Sequence, residues 1–127
     1  MKAKAYVIKP EESAVFERGS EATVYKMVYA ESSIPSDTLF LGKTVIKPGG
    51  AFPLHRHPVE EAYYILEGQG VAEVEGQQVA FEAGDAVFIP AKVKHRPINT
   101  STTEPLVFVA AAGITLSSCR ETAIDTW

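Results

Sequence analysis

The sequence predicts an all-β fold, an antiparallel sandwich or barrel, on three observations. Short apolar alternations recur from residue 39 onward, glycine-bearing turns separate them, and segments suited to helix are scarce. The turns are Pro48-Gly49-Gly50, Glu67-Gly68-Gln69-Gly70, Glu75-Gly76 and Ala83-Gly84-Asp85, and each offers a glycine where a positive φ costs nothing.

In chain order, residues 1–38 hold two strand-like segments, 5–9 and 24–30, and the one good helix candidate, 10–18. There Pro10 helps to start a turn and Gly19 can end it. This region carries no chemical motif, and it is expected to form an arm that packs on a barrel or on a second subunit. Residues 39–115 form the barrel domain, with strands expected at 39–47, 62–66, 71–75, 78–81, 86–89 and 106–111. Residues 116–127 form a C-terminal tail. Phe52, Ile65, Val74, Phe81, Phe88, Ile89 and Phe108 are expected in the wall and core, where some line a pocket.

Composition narrows the function. The 127 residues, 46% hydrophobic and 22% charged, suit one ordinary globular domain. The longest apolar run, 105–116, falls short of the roughly 20 residues of a membrane-spanning helix, so no membrane partner is expected. The first residues lack a sustained apolar stretch with a cleavage site, which makes cytoplasmic residence the expectation. A net charge of −4 without a basic cluster argues against nucleic acid as a partner. Cys119 is the only cysteine, so an intrachain disulfide and a multi-cysteine metal site are excluded, and the thiol reads as a passive small residue. A small molecule is the expected partner.

The chain has three histidines, and two of them form the pair His55 and His57, with Glu61 four residues on. Residues two apart in a strand share a face, so this pair presents two imidazoles side by side, and Glu61 can return to that face after the bend at Pro58 and Val59. Neutral imidazoles and a carboxylate are the donors that replace water around a divalent ion. His95 lies far along the chain, and a barrel could bring it across.

The spacing from Gly49 reads Gly-x5-His-x-His-x3-Glu-x6-Gly, ending at Gly68; from Gly84 it reads Gly-x5-Pro-x-Lys-x2-His-x3-Asn, ending at Asn99. These stretches, GGAFPLHRHPVEEAYYILEG and GDAVFIPAKVKHRPIN, resemble the paired signature motifs of the cupin superfamily and together span about 40% of the chain. One departure stands out: Lys92 occupies the place where the family usually has glycine after Pro-x, in a turn where a left-handed backbone is costly for a side chain.

The resemblance implies a double-stranded β-helix, or jelly-roll, with a metal in the barrel mouth held by His55, His57, Glu61 and His95. It implies one divalent transition metal, iron, manganese, nickel, zinc or copper. It implies, too, a homodimer, since small cupins commonly pair through sheet edges. The expected function is a metalloenzyme acting on a small polar, oxygen-bearing substrate: a dioxygenase with Fe(II), or a Lewis-acid isomerase, decarboxylase or lyase with Zn, Mn or Ni. The alternative is a non-catalytic cupin that binds a small ligand or the metal. The spacing of His55, His57, Glu61, Tyr63 and His95 also looks like that of small cupin lyases that cleave dimethylsulfoniopropionate, in which the tyrosine is a candidate base.

Tyr63 is the candidate catalytic residue, because strand alternation points it inward with Glu61 while Tyr64 points away; a phenol beside a metal can serve as acid or base when its pKa is lowered. Alternation turns Arg56 and Arg96 away from the ion. Lys92 and Lys94 flank the approach to His95; a solvated basic loop is the first reading, and attraction of an anionic substrate to the rim is the alternative. Glu60 competes with Glu61 in register, but would project to the opposite side.

Overall fold

A computed structural model describes residues 3–32, 34 and 36–113; the expected tail at 116–127, with Cys119, lies outside them. Among the described residues the chain forms nine strands: β1 Ala14–Arg18, β2 Ala22–Val28, β3 Phe40–Ile46, β4 Glu61–Glu67, β5 Gln69–Val74, β6 Gln77–Glu82, β7 Ala86–Ile89, β8 His95–Asn99 and β9 Leu106–Ala112. Every pairing is antiparallel. One sheet has the order β1-β2-β3-β9-β4-β7 and the other the order β6-β5-β8, the jelly-roll arrangement.

Period-two alternation decides which side chains reach the core. In β3 the buried residues are Phe40, Gly42, Thr44 and Ile46; in β9 they are Leu106, Phe108, Ala110 and Ala112. The two strands pair in register, Thr44 with Phe108 and Ile46 with Leu106, so their inward faces build one layer. Burial of each large side chain there contributes about 1.5–3 kcal/mol. Ala72 and Phe81 of the smaller sheet join the same core.

The turns hold the expected chemistry. Gly68, between β4 and β5, has φ +88°, and a Cβ there would lie 2.6 Å from the Pro105 carbonyl oxygen, so both conformation and space demand glycine. Glu75 and Gly76, with φ 49° and 81°, form the two-residue hairpin between β5 and β6.

Three expectations are corrected. Segment 10–18 is not a helix: Pro10–Glu12 makes a single 3-10 turn and the rest is β1, five residues paired with β2. A nine-residue helix is marginal alone, whereas pairing with a preformed strand satisfies the backbone directly. Segment 5–9 forms no strand. Phe88 is 60% exposed: β7 reads AVFI, apolar on both faces, and the register that buries Ile89 turns Phe88 outward. The remaining expected core positions are buried, or half-buried at Val74. Strands β1 and β2 extend the larger sheet, so residues 14–28 belong to the barrel wall. Among the described residues no helix is long and apolar enough to cross a membrane.

Candidate metal centre

The histidine pair lies on an extended segment alongside the edge strand β8. His55 and His95 face each other directly: the His55 amide donates to the His95 carbonyl at 3.1 Å, and the His95 amide donates back at 2.8 Å. Ala51 bridges Ile98, and the Phe52 amide donates to the Pro97 carbonyl at 3.0 Å. Beyond His57 the turn at Lys92 closes the site, its amide donating to the His57 carbonyl at 2.9 Å. Lys92 takes φ 71°, so the turn expected of glycine forms with lysine, at a cost of about 1 kcal/mol.

Glu61 opens β4, and alternation along that strand buries Glu61, Tyr63 and Ile65 while Ala62 and Tyr64 face outward; Glu60 is exposed. His55, His57, Glu61 and His95 are each 5% exposed or less. The ring centroids lie 4.4 Å (His55 to His95), 4.9 Å (His57 to His95) and 5.4 Å (His55 to His57) apart. One nitrogen from each ring falls within 4.8 Å of the other two. Glu61 Oε1 stands 3.4 Å from Nε2 of His57 and 3.6 Å from Nε2 of His95.

Each ring is oriented by a carbonyl two residues away in its own segment: Nδ1 of His55, His57 and His95 lies 2.7, 2.9 and 2.9 Å from the oxygens of Pro53, Val59 and Val93. A carbonyl only accepts, so each Nδ1 carries the proton and each neutral ring holds its lone pair on Nε2. Nε2 of His95 is buried and makes no hydrogen bond. Two buried ring nitrogens and a carboxylate oxygen thus face one another, an arrangement stabilised by a cation between them, either a proton on a ring or a metal ion. Three imidazoles and a carboxylate are a donor set for a borderline first-row ion, and carbonyl-anchored Nδ1–H groups are the usual support of such ligands. The residues fit a divalent transition metal.

Electrostatics agree. Burial lowers the His55 pKa to about 4, with the charge of His95 adding to the shift, which keeps the ring neutral and able to ligate. Burial pushes Glu61 up, but its contacts with His57 and His95 outweigh that and hold it near about 2. Tyr63 is raised well above its ordinary value by burial and by Glu61, to which it donates a hydrogen bond. In this environment the phenol keeps its proton and faces Glu61 as a donor.

The site opens on a cavity of about 410 Å³ with its mouth included. His55, Glu61 and Tyr63 line it, together with Phe52, Phe108 and three polar residues that sequence reasoning missed, Arg18, Lys26 and Thr44. Lys26 is 3% exposed; the available signal was a single charge at an inward position of the β2 alternation. Lys92 and Lys94 are exposed and lie outside the cavity wall. Arg96 turns outward, its Nε 3.1 Å from Glu73 Oε2, and Arg56 is half-buried.

The tetracenomycin polyketide synthase protein TcmJ of Streptomyces glaucescens is 35% identical over 69 residues, 54% of this chain and 46% of that protein. This chain thus spans about half the length of that relative. The oxalate-binding protein of Thermotoga maritima is 29% identical over 111 residues, 87% of this chain and 91% of that one. Shorter matches reach the 5-nitrosalicylic acid 1,2-dioxygenase of Bradyrhizobium, 35% over 56% of this chain and 34% of its own length, and the dimethylsulfoniopropionate lyase DddW of Ruegeria pomeroyi, 32% over 54% and 45%. An RmlC-like cupin from Shewanella frigidimarina shares the fold, with TM-score 0.73 over 93% of this chain and 98% of that one at 17% identity. The cupin domain family model matches residues 42–112, the span from β3 to β9 that carries every residue of the histidine and carboxylate cluster, and the chain is a member of the cupin family.

Proposed function

We propose that the chain is a metal-dependent cupin enzyme that holds one divalent transition metal on His55, His57, His95 and Glu61 and acts on a small polar substrate through its oxygen atoms. The supporting observation is the triple carbonyl anchor around three mutually close imidazoles, with the Glu61 carboxylate beside Nε2 of His57 and His95. A bound ion would supply Lewis acidity and polarise a substrate oxygen. The chain's own groups do the rest. The apolar wall of Phe52, Phe108 and Ala110 excludes water. Tyr63 packs against Phe108, the rings tilted with centroids 4.4 Å apart, and offers its proton to Glu61. In this reading Tyr63 is a catalytic acid or donor before it is a base.

The test is metal content of the purified protein, followed by oxygen-consumption and product screens against catechols, keto acids, sugar acids and oxalate. Turnover that disappears on chelation and in His95→Ala supports the reading; turnover that survives either sinks it. Iron with oxygen uptake selects the dioxygenase form, while manganese, nickel, zinc or copper without uptake selects the lyase, isomerase or decarboxylase form. Tyr63→Phe with unchanged turnover removes Tyr63 from the chemistry.

A second reading, non-catalytic binding of a small ligand, is favoured by one observation: the oxalate-binding protein is matched along 91% of its length, the dioxygenase along 34%. Ligand binding without product in the same screens selects it. We also propose a homodimer that leaves the cavity intact. Strand β1 ends the larger sheet, and its Val15 is 56% exposed, which suits pairing of that edge with a second copy. A monomer in sedimentation at micromolar concentration refutes this.

A further inference from the structure

Thr44 is a polar residue in an apolar setting. Alternation along β3 turns it inward between Gly42 and Ile46, and it is 3% exposed. Its cross-strand neighbours are Val24 of β2 and Phe108 of β9, both core residues. Valine has the same shape and would pack there without taking a hydroxyl out of water, so threonine costs stability unless the hydroxyl finds a partner. Among the described residues that hydroxyl makes no hydrogen bond. Thr44 instead lines the cavity that His55, Glu61 and Tyr63 line.

The register of β9 sets what lies between Thr44 and the histidine side. Its inward residues Phe108, Ala110 and Ala112 stand opposite Thr44, Gly42 and Phe40 on one side and opposite Ile65, Tyr63 and Glu61 on the other. The layer between Thr44 and Glu61 therefore holds a glycine and an alanine. A Cβ on Gly42 would lie 2.9 Å from Phe40 Cζ, so the Phe40 ring covers the glycine, and Ala110 is left as the small residue on the cavity wall. A molecule held at the histidine end can reach Thr44 past Ala110. Near that end the polar groups are engaged with one another: Glu61 faces Nε2 of His57 and His95, and Tyr63 gives its proton to Glu61.

We propose that Thr44 is a specificity-determining residue whose hydroxyl hydrogen-bonds an uncharged hydroxyl or carbonyl at the end of the bound ligand remote from the histidines. This rests on the metal-site reading above, which holds the near end. A threonine hydroxyl both donates and accepts, and in an apolar wall it discriminates against a ligand that lacks the matching oxygen. Thr44 itself needs no contact with the metal.

The experiment titrates the Zn(II)-loaded full chain by calorimetry with acetohydroxamate, propionohydroxamate and butyrohydroxamate, and with the same three carrying a terminal hydroxyl. The hydroxamate group serves as the metal-binding end in every probe, so each pair differs only in the far oxygen. Wild type is expected to bind at least one hydroxylated probe about fivefold or more tightly than its parent. Thr44→Val should cut that preference to within about twofold, keep Zn(II) affinity within about twofold, and leave the urea midpoint of the chelated protein no lower than wild type; Thr44→Ser should keep most of the preference. A preference that persists in Thr44→Val overturns the proposal. So does a Thr44→Val protein that fails to fold or unfolds at lower urea, which would make the hydroxyl a structural group. A wild-type protein that binds Zn(II) but shows no preference, or takes no hydroxamate, overturns the proposal and spares the metal reading; failure to bind Zn(II), Mn(II) or Fe(II) at all overturns both.

Discussion

Glu61→Gln should separate metal binding from folding. The carboxylate is 5% exposed, accepts a hydrogen bond from Tyr63, and faces Nε2 of His57 and His95 at 3.4 and 3.6 Å. Glutamine has the same shape. It weakens the Tyr63 bond from charge-assisted to neutral, a loss of about 1 kcal/mol, and supplies an N–H that can meet one imidazole lone pair, a gain of about 1 kcal/mol. The two effects offset, so the metal-free variant is expected to unfold within about 1 kcal/mol of wild type. Metal affinity should behave differently. Loss of a mere hydrogen-bond partner of a metal ligand costs about 10–100-fold, so loss of the anionic ligand itself should cost at least about 100-fold, or about 2.7 kcal/mol. Urea unfolding of the chelated proteins and calorimetric titration with Zn(II) or Mn(II) near neutral pH measure the two quantities. Wild-type metal affinity in the variant would remove Glu61 from the ligand set. A metal-free variant several kcal/mol less stable would show that protons already satisfy the imidazole–carboxylate contact, and the reasoning from facing acceptors would be wrong.

The metal-free protein should lose stability with acid in a defined window. His55 is at about 4 in the fold and 6.5 when unfolded, so the unfolded chain takes up a proton first: stability is full above 6.5, falls between 6.5 and 4, and then levels for this group. At 1.36 kcal/mol per unit the loss is capped at about 3 kcal/mol, and Glu61, held near about 2, extends it below 4.5. Urea midpoints across this range should flatten between 6.5 and 4 in His55→Gln; an unchanged slope refutes the assignment. Asn99→Asp should cost about 3 kcal/mol or more, because the Asn99 amide donates to the carbonyls of Ile46, Lys47 and Glu104 at 3.1, 3.1 and 2.8 Å and a carboxylate would face all three without a proton. Thermal unfolding checks it, and a variant as stable as wild type would sink the account of Asn99. Lys92→Gly should stabilise by a few tenths of a kcal/mol, since relief of the left-handed strain exceeds the entropy glycine adds to the unfolded chain. A measurable destabilisation would show that the lysine side chain contributes to the turn.

The all-β class was legible because Phe40–Ile46 and Leu106–Ala112 alternate cleanly and glycine punctuates the hairpins. Segment 10–18 misled because proline and two glutamates look like a helix start, while the evidence for β1 lies in its partner: Val15, Phe16 and Glu17 gain strand character by pairing with Tyr25, Val24 and Thr23. Strand β8 was only half visible, since it contains Pro97, which is tolerated where the strand runs at a sheet edge beside the extended histidine segment. Phe88 was ambiguous for a different reason. Four consecutive apolar residues in β7 carry no alternation, so register alone chooses the buried ones.

The histidine–carboxylate cluster and the cavity wall differ in legibility for a structural reason. Every histidine is oriented by a carbonyl within two residues of itself, so its geometry is a property of a short segment, and fixed spacings in the sequence report it. Asn99 follows the same logic at longer reach, tying the end of β8 to β3 and to the loop before β9. Lys26 and Arg18 have no such local signature. They reach the cavity only because β1 and β2 extend the larger sheet around it, and in the sequence they are single charges within or beside apolar strands. The part of the cavity wall that these two residues form lies in residues 14–28, outside the span 42–112 that the family model matches, and relatives that share the histidine motif are free to differ there. Exchanging residues 14–28 for those of the oxalate-binding relative should then shift ligand preference while metal affinity holds, and a swap that altered both together would place specificity in the ligand shell itself.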